Sequence, residues 1–223
     1  MNQAIYYLLR FAVALTAIPF HESAHALVSD LLGDPTAKNA GRISMNPMAH
    51  FDLMGTVCMA VAGVGWAKPV GIDPRRFRDP KKGMALTALA GPASNLVLAY
   101  ISMLVWKLLY YAAPVNAVSY YAALFLRMMV SMNIGLAVFN LIPIPPMDGS
   151  RILLVVLPRR VYFNVMRYER VIFAVLIVLT WSGLLSGPLG AANSFAWHMT
   201  DRLTGYVDSI ALAIWRARSS AGV

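Results

Sequence analysis

The sequence predicts an all-α polytopic membrane protein with about four to six transmembrane helices, a re-entrant segment and a short membrane-associated extended or hairpin loop. Of the 223 residues, 59% are hydrophobic and 13% are charged, whereas a soluble domain has about 45–50% apolar and about 25% charged residues. Long apolar stretches alternate with short basic segments, as membrane helices alternate with their loops. Basic cytoplasmic loops therefore explain the net charge of +9, and no nucleic-acid partner is expected.

The first apolar stretch, residues 6–32, predicts a membrane helix that ends at Gly33-Asp34-Pro35. At about 1.5 Å per residue, a helix of this length can cross the bilayer. The first three residues contain no Lys or Arg, unlike the start of a cleaved signal peptide, so we expect this helix to be retained.

Within this helix lies the motif His21-Glu22-Ser23-Ala24-His25. Side chains four residues apart share one face of a helix, so the two imidazoles can bind one metal ion, with Glu22 beside them as general base. A chance polar face on a soluble helix is the alternative. Ionisable side chains are costly in an apolar membrane helix and usually mark chemistry, which favours the metal site. A catalytic zinc normally has three protein ligands, so the chain must supply another.

The next two segments are unlike spanning helices. Residues 38–52 are polar and contain Gly, Asn and Pro, which predicts an extended or hairpin-like loop folded against the protein. Residues 53–66 are apolar, short and rich in glycine, and basic residues flank them on both sides. If both flanks are cytoplasmic, this segment dips into the membrane and returns.

Three further spans are predicted at residues 84–111, at about 121–141 and at 171–189. Asn95 lies within the second span, where either a hydrogen bond between helices or a contact with substrate would explain it. We expect residues 1–190 to form the membrane-embedded core. Residues 191–223 would then form a C-terminal amphipathic or additional membrane segment.

A proline-rich connection follows the third span, from Asn140 to Gly149, and cannot continue a helix. Asp148 lies in a turn at its end, where it could be the missing metal ligand. It could equally cap the helix that begins near Ser150.

The distribution of Lys and Arg predicts the topology of a multi-pass protein of the cell membrane. The basic segments 33–83 and 151–170 are expected on the cytoplasmic side, and the N-terminus outside. His21, His25 and Asp148 then all lie towards the cytoplasmic face, as one metal site requires.

Several motifs occur together in this order, and with them the chain resembles the site-2 proteases, in particular the compact subgroup without PDZ or CBS domains. The motifs are His21-Glu22-Ser23-Ala24-His25, Gly33-Asp34-Pro35, Gly41-Arg42 through Asn46-Pro47 and His50, Gly65-Trp66-Ala67-Lys68-Pro69-Val70, Gly91-Pro92-Ala93-Ser94-Asn95, and Asn140 through Pro143, Pro145, Asp148 and Gly149.

The resemblance implies a metal site and an activity. His21, His25 and Asp148 would bind one Zn²⁺ per chain, and Glu22 would be the general base. The activity would be hydrolysis of peptide bonds in or near transmembrane segments of membrane proteins, as in regulated intramembrane proteolysis. The implied partners are the lipid bilayer and a transmembrane protein substrate, and a regulatory membrane partner or a homo-oligomer is also expected. Access would be controlled by such a partner or by prior trimming of the substrate.

The resemblance also implies further site residues. Asn95 and Asn140 would line the site, where an amide can polarise the scissile carbonyl. The loop at 38–52 would meet the substrate. His50 recurs in the subgroup's pattern as an accessory position without a settled role.

Two other classes of function fit part of the pattern. Intramembrane His and Asp also mark ion pathways, so a membrane metal-ion transporter or metal-binding channel is the main alternative. Such a protein does not require Glu22 next to the first histidine. A non-catalytic membrane chaperone or anchor would be indifferent to the loss of His21.

Overall fold

A computed structural model describes residues 3–52 and 68–220, which are helical apart from turns and connecting segments. The predicted re-entrant segment at 53–66 lies outside the described residues. The helices are α1 (Gln3–Leu31), α2 (Thr36–Asn39), α3 (Pro80–Ala112), α4 (Ala117–Asn140), α5 (Asp148–Ile152), α6 (Arg159–Met166), α7 (Glu169–Trp181), α8 (Ser186–Leu203) and α9 (Gly205–Ser220). Short 3₁₀ turns lie at Pro47–Ala49, Pro74–Arg76 and Leu153–Val155.

Three of these helices are long and apolar enough to cross a membrane, namely α1, α3 and α4. They contain 29, 33 and 24 residues, with mean hydropathies of 1.4, 1.6 and 1.8. A span of the hydrocarbon core needs about 20 residues. The prediction of an all-α polytopic membrane protein is therefore confirmed, and the first three spans lie close to their predicted positions.

The fourth span differs from its prediction at 171–189. Helix α7 ends at Trp181, and α8 begins at Ser186 after a bend of 83° between the two helix axes. Gly183 lies in the bend with a φ of +76°, a backbone conformation that glycine adopts at little cost. Counted as one broken span, the pair raises the number of candidate spans to four.

The three long helices pack as neighbours around the candidate site. His21 contacts Asn95 and His25 contacts Thr87, so α1 and α3 run antiparallel. Helix α3 also packs against α4 around a small core, formed by Ala99, Met103, Val130 and Ile134.

A buried cation joins the C-terminal helices to α3. Lys107 is 7% exposed, and its Nζ atom lies 2.7 Å from Asp201 Oδ1 and 2.6 Å from Asp208 Oδ2. The hydroxyl of Tyr111 also donates to Asp208 at 2.9 Å. These contacts hold the junction of α8 and α9 against the C-terminal end of α3. Helix α8 continues through residue 191, where the sequence predicts the end of the core.

Candidate metal centre

Three side chains from distant parts of the chain converge at one point. His21 Nε2 and His25 Nε2 lie 3.0 Å apart, and Asp148 Oδ2 lies 3.2 Å from the first atom and 3.3 Å from the second. Both histidines are buried. Among the described residues, these are the three that meet as a candidate metal-binding group.

The spacing of these atoms fits a tetrahedral zinc site. With zinc–ligand distances of about 2.0–2.2 Å, the ligand atoms of a tetrahedral site lie about 3.3–3.6 Å apart. The observed separations of 3.0–3.3 Å are close to this range. Two imidazoles and one carboxylate are also an ordinary donor set for zinc, and they leave the fourth position open.

Each histidine uses its second nitrogen to bind a neighbouring helix. His21 Nδ1 lies 2.5 Å from Asn95 Oδ1, and His25 Nδ1 lies 2.7 Å from the carbonyl oxygen of Thr87. Since both partners are oxygen acceptors, each Nδ1 carries the proton, and each Nε2 presents its lone pair to the centre. Hydrogen bonds of this kind fix the tautomer and ring orientation of metal-binding histidines.

The orientation of Asn95 is fixed by a further residue, Asn133 of α4. The Nδ2 of Asn95 donates to Asn133 Oδ1 at 2.7 Å, and Asn133 Nδ2 donates to the carbonyl of Met129 at 2.8 Å. A carbonyl can only accept, so the direction of every bond back to His21 follows. Sequence reasoning missed Asn133, although an amide within an apolar span was a usable signal.

Two glycines make the room that the centre needs. A Cβ atom on Gly91 would overlap His25 Nε2 and lie 2.5 Å from His21 Cε1, so α3 can approach the imidazoles only without a side chain there. A Cβ on Gly149 would lie 2.5 Å from the carbonyl oxygen of Ile142. This close approach folds the proline-rich connection into the turn that carries Asp148.

Asp148 is the first residue of α5 and does not cap it, because the N-cap position belongs to Met147. Burial by itself raises the pKa of the Asp148 carboxyl. Its hydrogen bonds and charge interactions with His21 and His25 outweigh this effect and hold the pKa below its usual range. The side chain is therefore a carboxylate, the form that binds metal.

A cavity of about 180 Å³ opens beside the three side chains, and Glu22, Asn140 and Arg151 are among the residues that line it. Glu22 follows His21 directly and faces the same cavity, as a general base requires. The Nδ2 of Asn140 donates to the carbonyl of Leu136 at 3.0 Å. Asn95, by contrast, is fully buried next to His21 and is not among the lining residues.

His50 lies outside the group of three. It is fully buried, and its Nε2 donates to the carbonyl of Ser44 at 2.7 Å. The Ser23 hydroxyl, within the motif on α1, donates to the same carbonyl at 2.7 Å. His50 therefore belongs to the contacts that hold the predicted loop at 38–52 against α1.

Comparison with known proteins gives consistent matches. Residues 111–183 match the model of the family described as peptidase family M50. YwhC of Bacillus subtilis, which bears the name of a zinc metalloprotease, is 36% identical over 186 residues, 80% of this chain and 85% of that protein. No solved structure matches the chain.

More distant relatives carry the same kind of name. Rip2 of Mycolicibacterium smegmatis, also named as a zinc metalloprotease, is 26% identical over 64% of this chain and 55% of its own length. Rip2 of Mycobacterium tuberculosis is 27% identical over 60% of this chain and 52% of its own length. These names favour the hydrolase over the metal-transporter alternative. Together with the extent of the match to YwhC, they show that the chain belongs to peptidase family M50, the site-2 proteases, and is a zinc metalloprotease with several membrane spans.

Proposed function

We propose that this protein hydrolyses peptide bonds in or near transmembrane segments of membrane proteins, as part of regulated intramembrane proteolysis. The main support is that His21 Nε2, His25 Nε2 and Asp148 Oδ2 lie 3.0–3.3 Å from one another, next to Glu22. His21 and His25 both belong to α1, a candidate membrane-spanning helix, which supports a reaction within or beside the bilayer.

His21, His25 and Asp148 would hold one Zn²⁺ per chain. When bound, zinc supplies a Lewis acid at the scissile carbonyl and lowers the pKa of water in its open position towards about 7. Glu22 accepts the proton of the attacking water and delivers it to the leaving amine. Asn95 and the carbonyl of Thr87 hold the two imidazoles in the tautomer that presents Nε2.

Asn140 is the amide that we assign to the substrate. It lines the cavity, whereas Asn95 is buried against His21 and acts through that ring. A hydrogen bond to the charge that develops on the scissile carbonyl stabilises the transition state. We therefore assign a positioning role to Asn95 and a substrate contact to Asn140.

The substrate must reach this cavity as an extended chain. A transmembrane helix hides its amides in internal hydrogen bonds, so it has to unwind locally before cleavage. The loop at 38–52 then offers backbone groups to which an extended substrate can pair.

We place the protein in the cell membrane with its N-terminus outside and the site towards the cytoplasm. Support comes from the basic residues before and at the start of α3, the end of that helix nearer to the site. They are Arg75, Arg76, Arg78, Lys81 and Lys82. Residues 1–190 remain our assignment for the catalytic core. We assign residues 191–223 to an accessory segment.

The test is zinc content measured beside cleavage of a model transmembrane substrate in detergent, for the wild type, Glu22→Gln and Asp148→Ala. We expect one zinc per chain in the wild type. Glu22→Gln should keep its zinc and lose about 10²–10⁴-fold in rate, and Asp148→Ala should lose the metal. A folded wild type without zinc would contradict the proposal, as would a Glu22→Gln variant that cleaves at the normal rate.

A further inference from the structure

One wall of the catalytic cavity consists of irregular chain. Pro69, Val70 and Ile72 line the same cavity as His21 and His25. They belong to residues 68–73, here called the wall segment, which contains neither helix nor strand. A segment without regular structure does not hold its own shape, so contacts with the rest of the protein must fix its distance from the metal centre.

The first of these contacts is made by Arg42 at the start of the wall segment. Its guanidinium is buried, with the residue only 5% exposed. It donates to the carbonyl oxygens of Lys68, of Pro69 at 2.8 Å, and of Ala49. The amide of Lys68 is itself bonded to the carbonyl of His50 at 2.7 Å. Arg42 thus joins the wall segment to the loop at 38–52.

The second contact is made by Asp34 at the other end of the segment. Asp34 is fully buried, and its Oδ2 accepts the amide of Asp73 at 2.7 Å and the hydroxyl of Ser29 at 3.1 Å. Its Oδ1 accepts the amide and the hydroxyl of Thr36. Both carboxylate oxygens are therefore in use.

Ser29 connects this second contact to the metal centre. It lies four residues after His25 and eight after His21, so all three side chains share the buried face of α1. The hydrogen bond from Ser29 therefore fixes Asp34, and through it Asp73, relative to the helix that carries two metal ligands. These two hydrogen bonds therefore set the distance between the wall segment and the metal centre.

We infer that Arg42 and Asp34 are positioning residues that hold the wall segment at a set distance from the metal centre and so determine how productively substrate is bound. The inference rests on the proposed function, because the wall faces the cavity in which we place the substrate. Misplacement of a reacting group by about 1 Å can reduce a rate by about 10²-fold. Neither residue touches the metal centre, so zinc binding does not depend on them.

The variants follow from the geometry. Arg42→Gln removes the positive charge and the planar guanidinium. Arg42→Lys keeps the charge but donates from a single nitrogen, whereas the guanidinium of Arg42 donates to these carbonyls from two nitrogens. Asp34→Asn replaces one of two accepting oxygens with a donor. Arg78→Gln is the matched control, because Arg78 is an exposed arginine from the same basic region.

The experiment measures backbone hydrogen exchange, zinc content and steady-state cleavage in each variant. We expect the amides of Lys68 and Asp73 to exchange faster in Arg42→Gln and Asp34→Asn, with α1 and α3 unchanged and one zinc per chain retained. The value of kcat/KM should fall by about 10–100-fold, mainly through KM, and Arg42→Lys should be intermediate. Arg78→Gln should match the wild type.

Two results would overturn the inference. One is unchanged exchange of residues 68–73 in both Arg42→Gln and Asp34→Asn. The other is faster exchange throughout α1 with loss of zinc, which would make the two residues general supports of the fold. If the wild type binds zinc but cleaves no substrate, the proposed function fails, and the exchange data still decide whether Arg42 and Asp34 hold the segment.

Discussion

Asn95 and Asn133 lie on neighbouring membrane helices and share a 2.7 Å hydrogen bond between their side-chain amides. Both residues are fully buried. Through Asn95 the bond reaches His21, and through Asn133 it ends on the backbone carbonyl of Met129. A side chain of the candidate metal centre is thus oriented from α4, a helix that contributes none of the three converging side chains.

Replacing Asn133 with leucine should therefore weaken metal binding from a distance. Without its partner, Asn95 can rotate and cease to hold the tautomer of His21. We expect zinc affinity to fall about 10–100-fold, as for other partners of metal-binding histidines. Competition with a chromophoric chelator measures this change. Asn164→Leu, at an exposed position on α6, is the control, and equal affinity in both variants would contradict the role of Asn133.

Adding one methyl group at Gly91 should disrupt the centre. The new Cβ would overlap His25 Nε2 and press on His21, so Gly91→Ala should lose most of its zinc and its activity. Gly135→Ala is a matched control in another membrane helix, because a Cβ built there has no atom of the described residues within 4 Å apart from the adjacent backbone of its own helix. Metal analysis of the purified variants decides the matter. Retention of one zinc per chain in Gly91→Ala would show that the approach of α3 to α1 is looser than described.

Removing Lys107 should destabilise the protein without affecting the metal. The cation is buried, but the side chains of its partners Asp201 and Asp208 are 48% and 36% exposed. The cost of removing it should therefore lie between that of an exposed pair and the about 3–5 kcal/mol of a fully buried one. Lys38, 58% exposed in its side chain and paired with Asp30, is the comparison, because an exposed pair contributes about 0–1 kcal/mol. Thermal unfolding in detergent should show a larger decrease in the unfolding temperature for Lys107→Ala than for Lys38→Ala. Equal decreases would contradict the anchoring of α9.

Acid should weaken the contact between Asp34 and its neighbours. Burial alone raises the pKa of the Asp34 carboxyl. Hydrogen bonds from Thr36, Asp73 and Ser29 lower the pKa by more than burial raises it, so the net pKa lies below its ordinary value of 3.8. A pKa lowered by folding stabilises the native state above that ordinary value, and the contribution disappears as pH falls through the folded pKa.

The matching measurement follows the unfolding temperature from pH 7 to pH 3 in the wild type and in Asp34→Asn. The wild type should be the more stable of the two at neutral pH, and the difference should narrow in acid. Arg76, whose Nε lies 3.8 Å from Asp34, stays charged throughout this range, so it adds no titration of its own to the trend. A difference that stays constant with pH would contradict the assignment.

Much of this architecture could be predicted from local pattern. Three long apolar stretches identified the first three spans, and the spacing of His21 and His25 on a helix was sufficient to predict that they share a face. For Asp148, at the end of the proline-rich connection, the sequence left two roles open, metal ligand and helix cap. Only the folded chain excludes the capping role, since α5 begins at Asp148 itself.

The remaining features depend on contacts between distant segments, for which the sequence contains no local pattern. Nothing near Arg42 indicates that its guanidinium meets the carbonyls of Lys68 and Pro69. The Thr87 carbonyl is a backbone group, present at every position, and only packing selects it as the partner of His25. The bend between α7 and α8 also interrupts a stretch that hydropathy alone predicts to be continuous.

The hydrogen-bonded series from His21 to Met129 also limits how protons can travel during turnover. Its last member is a peptide carbonyl, which has no proton to exchange, and amide side chains do not pass protons along as carboxylic acids or water molecules do. The imidazole of His21 is therefore insulated on its Nδ1 side and cannot relay a proton into the membrane-spanning bundle. Proton transfer is then confined to the open side of the centre, where Glu22, the general base that we propose, lines the cavity.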